Sequence, residues 1–286
     1  MPVNKFISWG PHSICWCRTD AKHFPTLGVS SNIFSVGSAP CMKHNKRYTY
    51  VDSSRSMDHG TRVYDVAGFK LPSVTTILDK TKDKTYLRQW KEKVGEKRAE
   101  EIKNISSKRG TTMHKYLESF VIEKGYEDLT AMGQEAKRMS EKVIQLGLAP
   151  VTEYFGSEIT VYYPGLYAGA TDLVCMHNDM ETIVDFKQSN RPKREEWITD
   201  YKLQVAGYAM AHDYVYGSQI KQAVIMICTP DLYYQEFKIQ DAQLREWKHK
   251  FLARVNQYYE MIRDPKEEAD VNTAELLQDF EKMAQK

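Results

Sequence analysis

The sequence predicts an α/β fold with a mixed central sheet flanked by helices. Three observations predict it. Helix-friendly segments run from about residue 85 to 146, three strand-like runs follow in quick succession from Val151 to Lys187, and a helical segment then separates these from two more strands and a last helix. Helices, three strands, helix, two strands, helix is the order of a sheet covered by helices. With 286 residues, 42% hydrophobic and 27% charged, the chain can bury a core of ordinary size.

Each element has a local reason. Residues 1 to about 45 carry Gly, Pro, Ser and His without a sustained period and read as loop. Ser73, after Pro72, reads as a helix N-cap ahead of Val74, Ile77 and Leu78. A charged helix is expected over about 85–105. Gly110 then punctuates, and a second helix is expected over Thr111–Lys124, where Met113, Leu117, Phe120 and Val121 recur at helical spacing. A third helix is expected over Leu129–Leu146. From Pro150 the texture changes to strands rich in Val, Ile, Thr and Tyr over about Val151–Tyr162, Tyr167–His177 and Thr182–Lys187, separated by Pro164-Gly165 and His177-Asn178-Asp179. A long helix over Arg194–Tyr216, strands over Ala223–Cys228 and Tyr233–Ile239, and a helix capped by Asp241 and ending near Arg263 complete the pattern.

Charge is unevenly spread. From Asp79 to Arg109 there are 11 Lys/Arg against 6 Asp/Glu, and from Asp264 to Lys286 there are 3 Lys against 7 Asp/Glu. A basic segment of this kind fits a phosphate-binding face, and it equally fits a solvated helix face. Tyr86 and Trp90, in the same segment, are either stacking platforms for unpaired bases or core residues. The five cysteines are Cys15, Cys17, Cys41, Cys175 and Cys228; the odd number, and the apolar runs around Cys175 and Cys228, point to free thiols in a reducing compartment. A zinc site from His12, Cys15, Cys17, Cys41 and His44 is the weaker reading, because the ligand pairs are far apart. No signal peptide and no membrane-spanning run is evident, so a soluble intracellular protein is expected, and Met42 is an alternative start. The expected organisation is an extension over 1–45, a catalytic domain over 46–264 and an acidic tail over 265–286.

The chemistry concentrates in three stretches. Asp185 and Lys187 are two apart on a strand and share a face, an expensive pairing unless something uses it. Asp172 is on the preceding strand; if the two strands form a hairpin around residues 178–181, the aspartates meet across the ladder, where a hard divalent cation would relieve their repulsion. His114 and Glu118, four apart on a helix, share a face, so His114 can complete a metal site with Glu118 as second ligand or orienting partner. Gln204 and Tyr208 repeat the four-residue spacing.

Taken together, Arg109-Gly110-Thr111-x-x-His114-x-x-x-Glu118, Ala168-Gly169-x-x-Asp172, Asp185-x-Lys187 and Gln204-x-x-x-Tyr208 resemble the motifs of the RecB-like branch of the PD-(D/E)XK nucleases, and within it the mitochondrial genome maintenance exonuclease family and related phage exonucleases. Pro72-Ser73-Val74-Thr75 resembles a recurrent N-terminal motif there. The resemblance covers about residues 70 to 260 and departs at Gln188, where the family often has Thr. It implies a restriction-endonuclease-like αβββαβ core. It also implies that His114, Asp172, Asp185 and the backbone carbonyl of Phe186 bind Mg²⁺ or Mn²⁺, with Lys187 orienting the attacking water and stabilising the developing charge. No iron–sulfur cluster is expected, since no cysteine follows Cys228.

The expected function is therefore metal-dependent DNA exonuclease activity, on single strands or free ends, in DNA repair or recombination, in the cytoplasm of a host cell if the protein is phage-encoded. The alternatives are a flap-cutting endonuclease and a catalytically silent DNA-binding module on the same fold. Ser73, Thr75, Arg109, Gln204 and Tyr208 are the residues expected to touch the nucleic acid, and Gln204 and Tyr208 also to support catalysis.

Overall fold

The structure, a computed structural model, describes residues 43–58 and 60–262. The expected zinc ligands His12, Cys15, Cys17 and Cys41, and the acidic tail, lie outside these residues. The strands are β1 (Lys43–His44), β2 (Ser53–Asp58), β3 (Thr61–Val66), β4 (Phe69–Pro72), β5 (Val151–Tyr163), β6 (Tyr167–His177), β7 (Met180–Gln188), β8 (Gln222–Cys228) and β9 (Tyr234–Gln240). The helices are α1 (Val74–Thr81), α2 (Thr85–Val94), α3 (Glu96–Val121), α4 (Ala131–Leu146), α5 (Thr199–Tyr216) and α6 (Asp241–Ile262).

Six strands form the central sheet in the order β1-β5-β6-β7-β8-β9. The run β5-β6-β7 is an antiparallel meander, β7 and β8 pair in parallel, and β9 closes one edge antiparallel. The parallel step needs a crossover, which α5 supplies. The expected mixed α/β fold is therefore present, with α3 and α4, then β5-β6-β7, then α5 and β8 in the αβββαβ order. Period-two patterning divides the sheet between two helical layers. On β8, Ala223, Ile225 and Ile227 join the core under α1, α5 and α6, whereas Val224, Met226 and Cys228 join the core under α3 and α4. Among the described residues, no helix is long and apolar enough to cross a membrane.

Local signals fix the element ends. Ser73 caps α1 by accepting the Thr76 N–H at 2.9 Å, and Thr130 caps α4 by accepting the Gly133 N–H at 3.0 Å. The β6–β7 hairpin turns on Asn178 and Asp179, with φ of 48° and 59°; both positive, these are the values a two-residue turn matched to strand twist requires.

Three expectations need correction. The helix does not break at Gly110: α3 runs unbroken from Glu96 to Val121, and the break lies at Gly95, whose φ is 88°. Gly110 costs a helix only about 1 kcal/mol, and packing on both sides of it outweighs that: Arg109 is tied to α4, and Met113 and Leu117 are fully buried. The Arg194–Tyr216 helix starts later, at Thr199, after a 3₁₀ turn over Glu195–Trp197. Before Ser73, where no strand was expected, β2, β3 and β4 form a second antiparallel sheet. Its Tyr64, Val66 and Leu71 pack on Tyr162 and Ala168, and Ser73 bridges to Ala168, which anchors this small sheet against β6.

Candidate active site

Three adjacent strands bring three carboxylates into a row. Leu173 lies opposite Val184, so the next pair in that register is Asp172 and Asp185. Ser157 lies opposite Leu173 and Ile159 opposite Thr171, so Glu158 falls across from Asp172. From α3, His114 completes the group: its Nδ1 is 3.3 Å from Asp172 Oδ1 and 3.9 Å from Glu158 Oε1. One ligand atom from each of His114, Glu158 and Asp172 lies within 4.8 Å of the other two. The second Asp172 oxygen accepts the Phe186 N–H at 2.6 Å, which fixes the carboxylate against β7. Lys187 is ion-paired with Asp185, and its Nζ lies 5.2 Å from the ring centre of Tyr201. From α5, Gln204 donates to Asp185 Oδ1 at 3.2 Å and to the Tyr208 hydroxyl at 2.8 Å.

Burial sharpens the electrostatics. It works against a charged His114, yet the Asp172 carboxylate and the bonds from Asp172 and Glu158 outweigh it and push the imidazole pKa up to about 10. Burial also works against ionised Asp172, but His114, Lys187 and the Phe186 N–H hold its carboxyl below the ordinary range. Asp185 is pushed up to about 6 by burial, with Lys187 limiting the rise and Asp172 adding to it. The Lys187 ammonium, desolvated but flanked by Asp185 and Asp172, is held above its ordinary pKa. Burial raises the Tyr208 phenol well above its usual value, so it serves as a neutral hydroxyl.

These groups line a cleft of about 450 Å³. Ser73, Thr75, Gln204, Tyr208 and Glu118 all line it. Ser73 itself is buried, with its hydroxyl bonded to Thr75, Thr76 and the Thr76 N–H, so the α1 start meets the cleft chiefly through Thr75. Glu118 stands outside the three-group cluster; the second carboxylate beside His114 is Glu158. Burial and the Glu158 charge raise the Glu118 carboxyl pKa. Arg109 was expected at the nucleic acid. Its guanidinium is instead buried and spent on Gln188 Oε1 (3.1 Å), Glu135 Oε1 (2.9 Å) and Asn190 Oδ1, bracing α3 to α4 and to the end of β7. Gln188, the departure from the family pattern, is what that guanidinium holds. Glycine at position 169 lets the Tyr208 ring approach the backbone closely: a Cβ there would lie 2.4 Å from Tyr208 Cε1.

Sequence reasoning missed Glu158, Arg55 and Arg62. Glu158 belongs to no motif, and only the β5–β6 register reveals it; its φ of 51° is unfavourable for a residue with a side chain and marks a locally strained strand. Arg55 and Arg62 line the cleft from β2 and β3, the sheet that was not anticipated.

The donor set fits a hard divalent cation. It offers carboxylate oxygens and one imidazole nitrogen, and the two described cysteines are buried in the other core layer. This suits Mg²⁺ or Mn²⁺ better than a thiolate-preferring metal.

Two solved structures are distantly similar. The crystal structure of SSO0001 matches with a TM-score of 0.25 at 13% identity, over 39% of this chain and 52% of that one, so the chain spans about half the length of SSO0001. The crystal structure of an alkaline exonuclease (LHK-Exo) from Laribacter hongkongensis matches with a TM-score of 0.27 at 11% identity, over 71% of this chain and 93% of that one. No protein-family model matches the chain, and no curated protein does.

Proposed function

We propose that the protein is a metal-dependent deoxyribonuclease, an exonuclease acting on single-stranded DNA or free DNA ends, with its catalytic domain over residues 46–264. The observation that carries this reading is the convergence of His114, Glu158 and Asp172 beside the Asp185–Lys187 pair. The PD-(D/E)XK motif resemblance supports it. So does the cleft, which Arg55 and Arg62 line.

His114, Asp172 and Glu158 would hold Mg²⁺ or Mn²⁺, joined by Asp185 and the Phe186 carbonyl. Such an ion, when bound, supplies Lewis-acid polarisation of the scissile phosphoryl group. Lys187 stays an ammonium, so it acts as a hydrogen-bond donor and not as a base: it orients the attacking water and stabilises charge on the phosphoryl oxygens as the P–O bond breaks. Gln204 holds Asp185 in place and is itself fixed by Tyr208. Arg55, Arg62 and Thr75 reach phosphates flanking the reacting one.

The test uses end-labelled linear and circular single-stranded DNA, with Mn²⁺ or with EDTA. Mononucleotide release from linear DNA only, abolished by EDTA and by Asp172→Ala or Asp185→Ala in folded protein, is the expected result. Cutting of circles would make it an endonuclease, and binding without cleavage in Mn²⁺ would make it a silent module.

A further inference from the structure

A second cleft, of about 860 Å³, shares no lining residue with the first but lies beside Lys187, which lines the first. Tyr201, on which the Lys187 ammonium rests, lines it, and so does Gln188, the next residue along β7. Its outer wall is α2. No residue of α2 is buried, although Tyr86, Leu87, Trp90 and Val94 repeat at helical spacing. That apolar and aromatic face is turned to the cleft and not to the core, and the Tyr86 side is left 72% exposed. An amphipathic helix normally buries such a face.

Basic residues line the cleft too. Arg191 and Lys193 line it, and Lys93 adds a third cation from α2. Burial and the charges of Arg191 and Lys82 hold the Lys193 pKa below its ordinary value, as happens when cations crowd without a counter-anion. The nearby carboxylates are engaged elsewhere: Asp200 with Lys82, Glu195 with Lys202, Glu196 with Arg194. This basic lining is also pre-shaped. Ser189 Oγ donates to the Arg191 carbonyl at 2.7 Å, and Gln235 bonds both the N–H and the carbonyl of Lys193, at 2.6 and 2.8 Å.

An exposed Tyr86 ring and a half-buried Trp90 ring, sharing a cleft with crowded cations beside the ammonium of the candidate active site, match a chain of bases and phosphates. We propose that this cleft binds an unpaired DNA strand, with bases stacked on Tyr86 and Trp90 and phosphates on Arg191 and Lys193, and guides it to Lys187. This rests on the nuclease reading above and adds to it the place where the single strand lies.

The test is fluorescence anisotropy of a fluorescein-labelled 20-mer oligo(dT) with the full chain in EDTA, where binding is read without cleavage. Trp90→Ala is expected to weaken binding by roughly 5- to 150-fold, the usual cost of losing one stacked base. Arg191→Ala/Lys193→Ala is expected to weaken it further and to flatten the log–log salt dependence by about 1.4, at about 0.7 per phosphate. If Trp90→Ala lowers the melting temperature, exposed Tyr86→Ala carries the same test. Wild-type affinity and salt slope in the aromatic and the basic variants would overturn the proposal, as would a blunt DNA hairpin that binds as tightly as oligo(dT) and loses as much. The two readings fail separately. Unchanged oligo(dT) binding alongside an inactive Asp172→Ala removes the cleft alone, whereas Trp90-dependent binding by a wild-type protein that cleaves no DNA in Mn²⁺ removes the nuclease assignment alone.

Discussion

Metal uptake should expel a proton, and the number expelled follows from the site's own electrostatics. With its pKa pushed up to about 10, His114 is an imidazolium at neutral pH, balancing the Asp172 and Glu158 carboxylates. A metal ligand must be the neutral imidazole, so binding at pH 7.5 should release about one proton. Asp185, pushed up to about 6, is then almost wholly ionised and adds only a few hundredths of a proton; at pH 6 it is half protonated, and the total rises to about 1.5. Apparent Mn²⁺ affinity should therefore climb about tenfold per pH unit between pH 7 and 9, and more steeply below pH 6. Calorimetric titration of Mn²⁺ into the protein, in two buffers of different ionisation enthalpy, measures the proton number directly. His114→Gln should bind Mn²⁺ more weakly and release close to none at pH 7.5. A wild-type proton number near zero at pH 7.5, or a full proton still released by His114→Gln, would refute the assignment of His114 as both the charge-balancing group and the ligand.

The other expectations are as specific. In EDTA, the raised His114 pKa stabilises the fold fully below its unfolded value of about 6.5 and this contribution is lost as pH rises through 10, so thermal melts from pH 6.5 to 10 should fall in wild type and flatten in His114→Gln. Glu158→Gly relieves a positive φ that costs a side-chain-bearing residue about 1–2 kcal/mol, so it should be at least as stable as wild type in urea titrations while its Mn²⁺ affinity drops; a clear loss of stability would contradict the strained backbone as a feature kept for binding. Gln204→Ala and Tyr208→Phe should lower the single-turnover cleavage rate by about 10- to 100-fold with little change in melting temperature, and a fully active Gln204→Ala would remove that residue from the site. Gly169→Ala places a methyl 2.4 Å from Tyr208 Cε1 and should destabilise by about 1–3 kcal/mol in denaturant titrations; a neutral result would mean the ring moves freely.

Much of this was legible in one dimension because it depends on short-range rules. Ser73 caps a helix through a bond to the third residue on, and Asp185 and Lys187 share a face because strands repeat every two residues. Gly110 misled because local propensity was outweighed by the Arg109 brace and the buried Met113 and Leu117. The β2–β4 sheet escaped because its strands carry many exposed polar residues and no clean apolar alternation, so Arg55 and Arg62 went unseen with it.

The sequence by itself determined the α/β order of elements, the Ser73 cap, and the pairs Asp185 with Lys187, His114 with Glu118 and Gln204 with Tyr208, since spacing within a strand or a helix turn translates directly into a shared face; that His114, Asp172, Asp185, Lys187, Gln204 and Tyr208 form one group was what the motif resemblance implied. Only the tertiary structure decided what faces them. Glu158 became His114's second carboxylate through strand register, Arg109 turned from a surface cation into a buried brace through helix packing, and α2 came to wall a cleft and not the core. The physical reason is the same in each case: these roles depend on contacts between residues far apart along the chain, which local propensity and spacing do not encode.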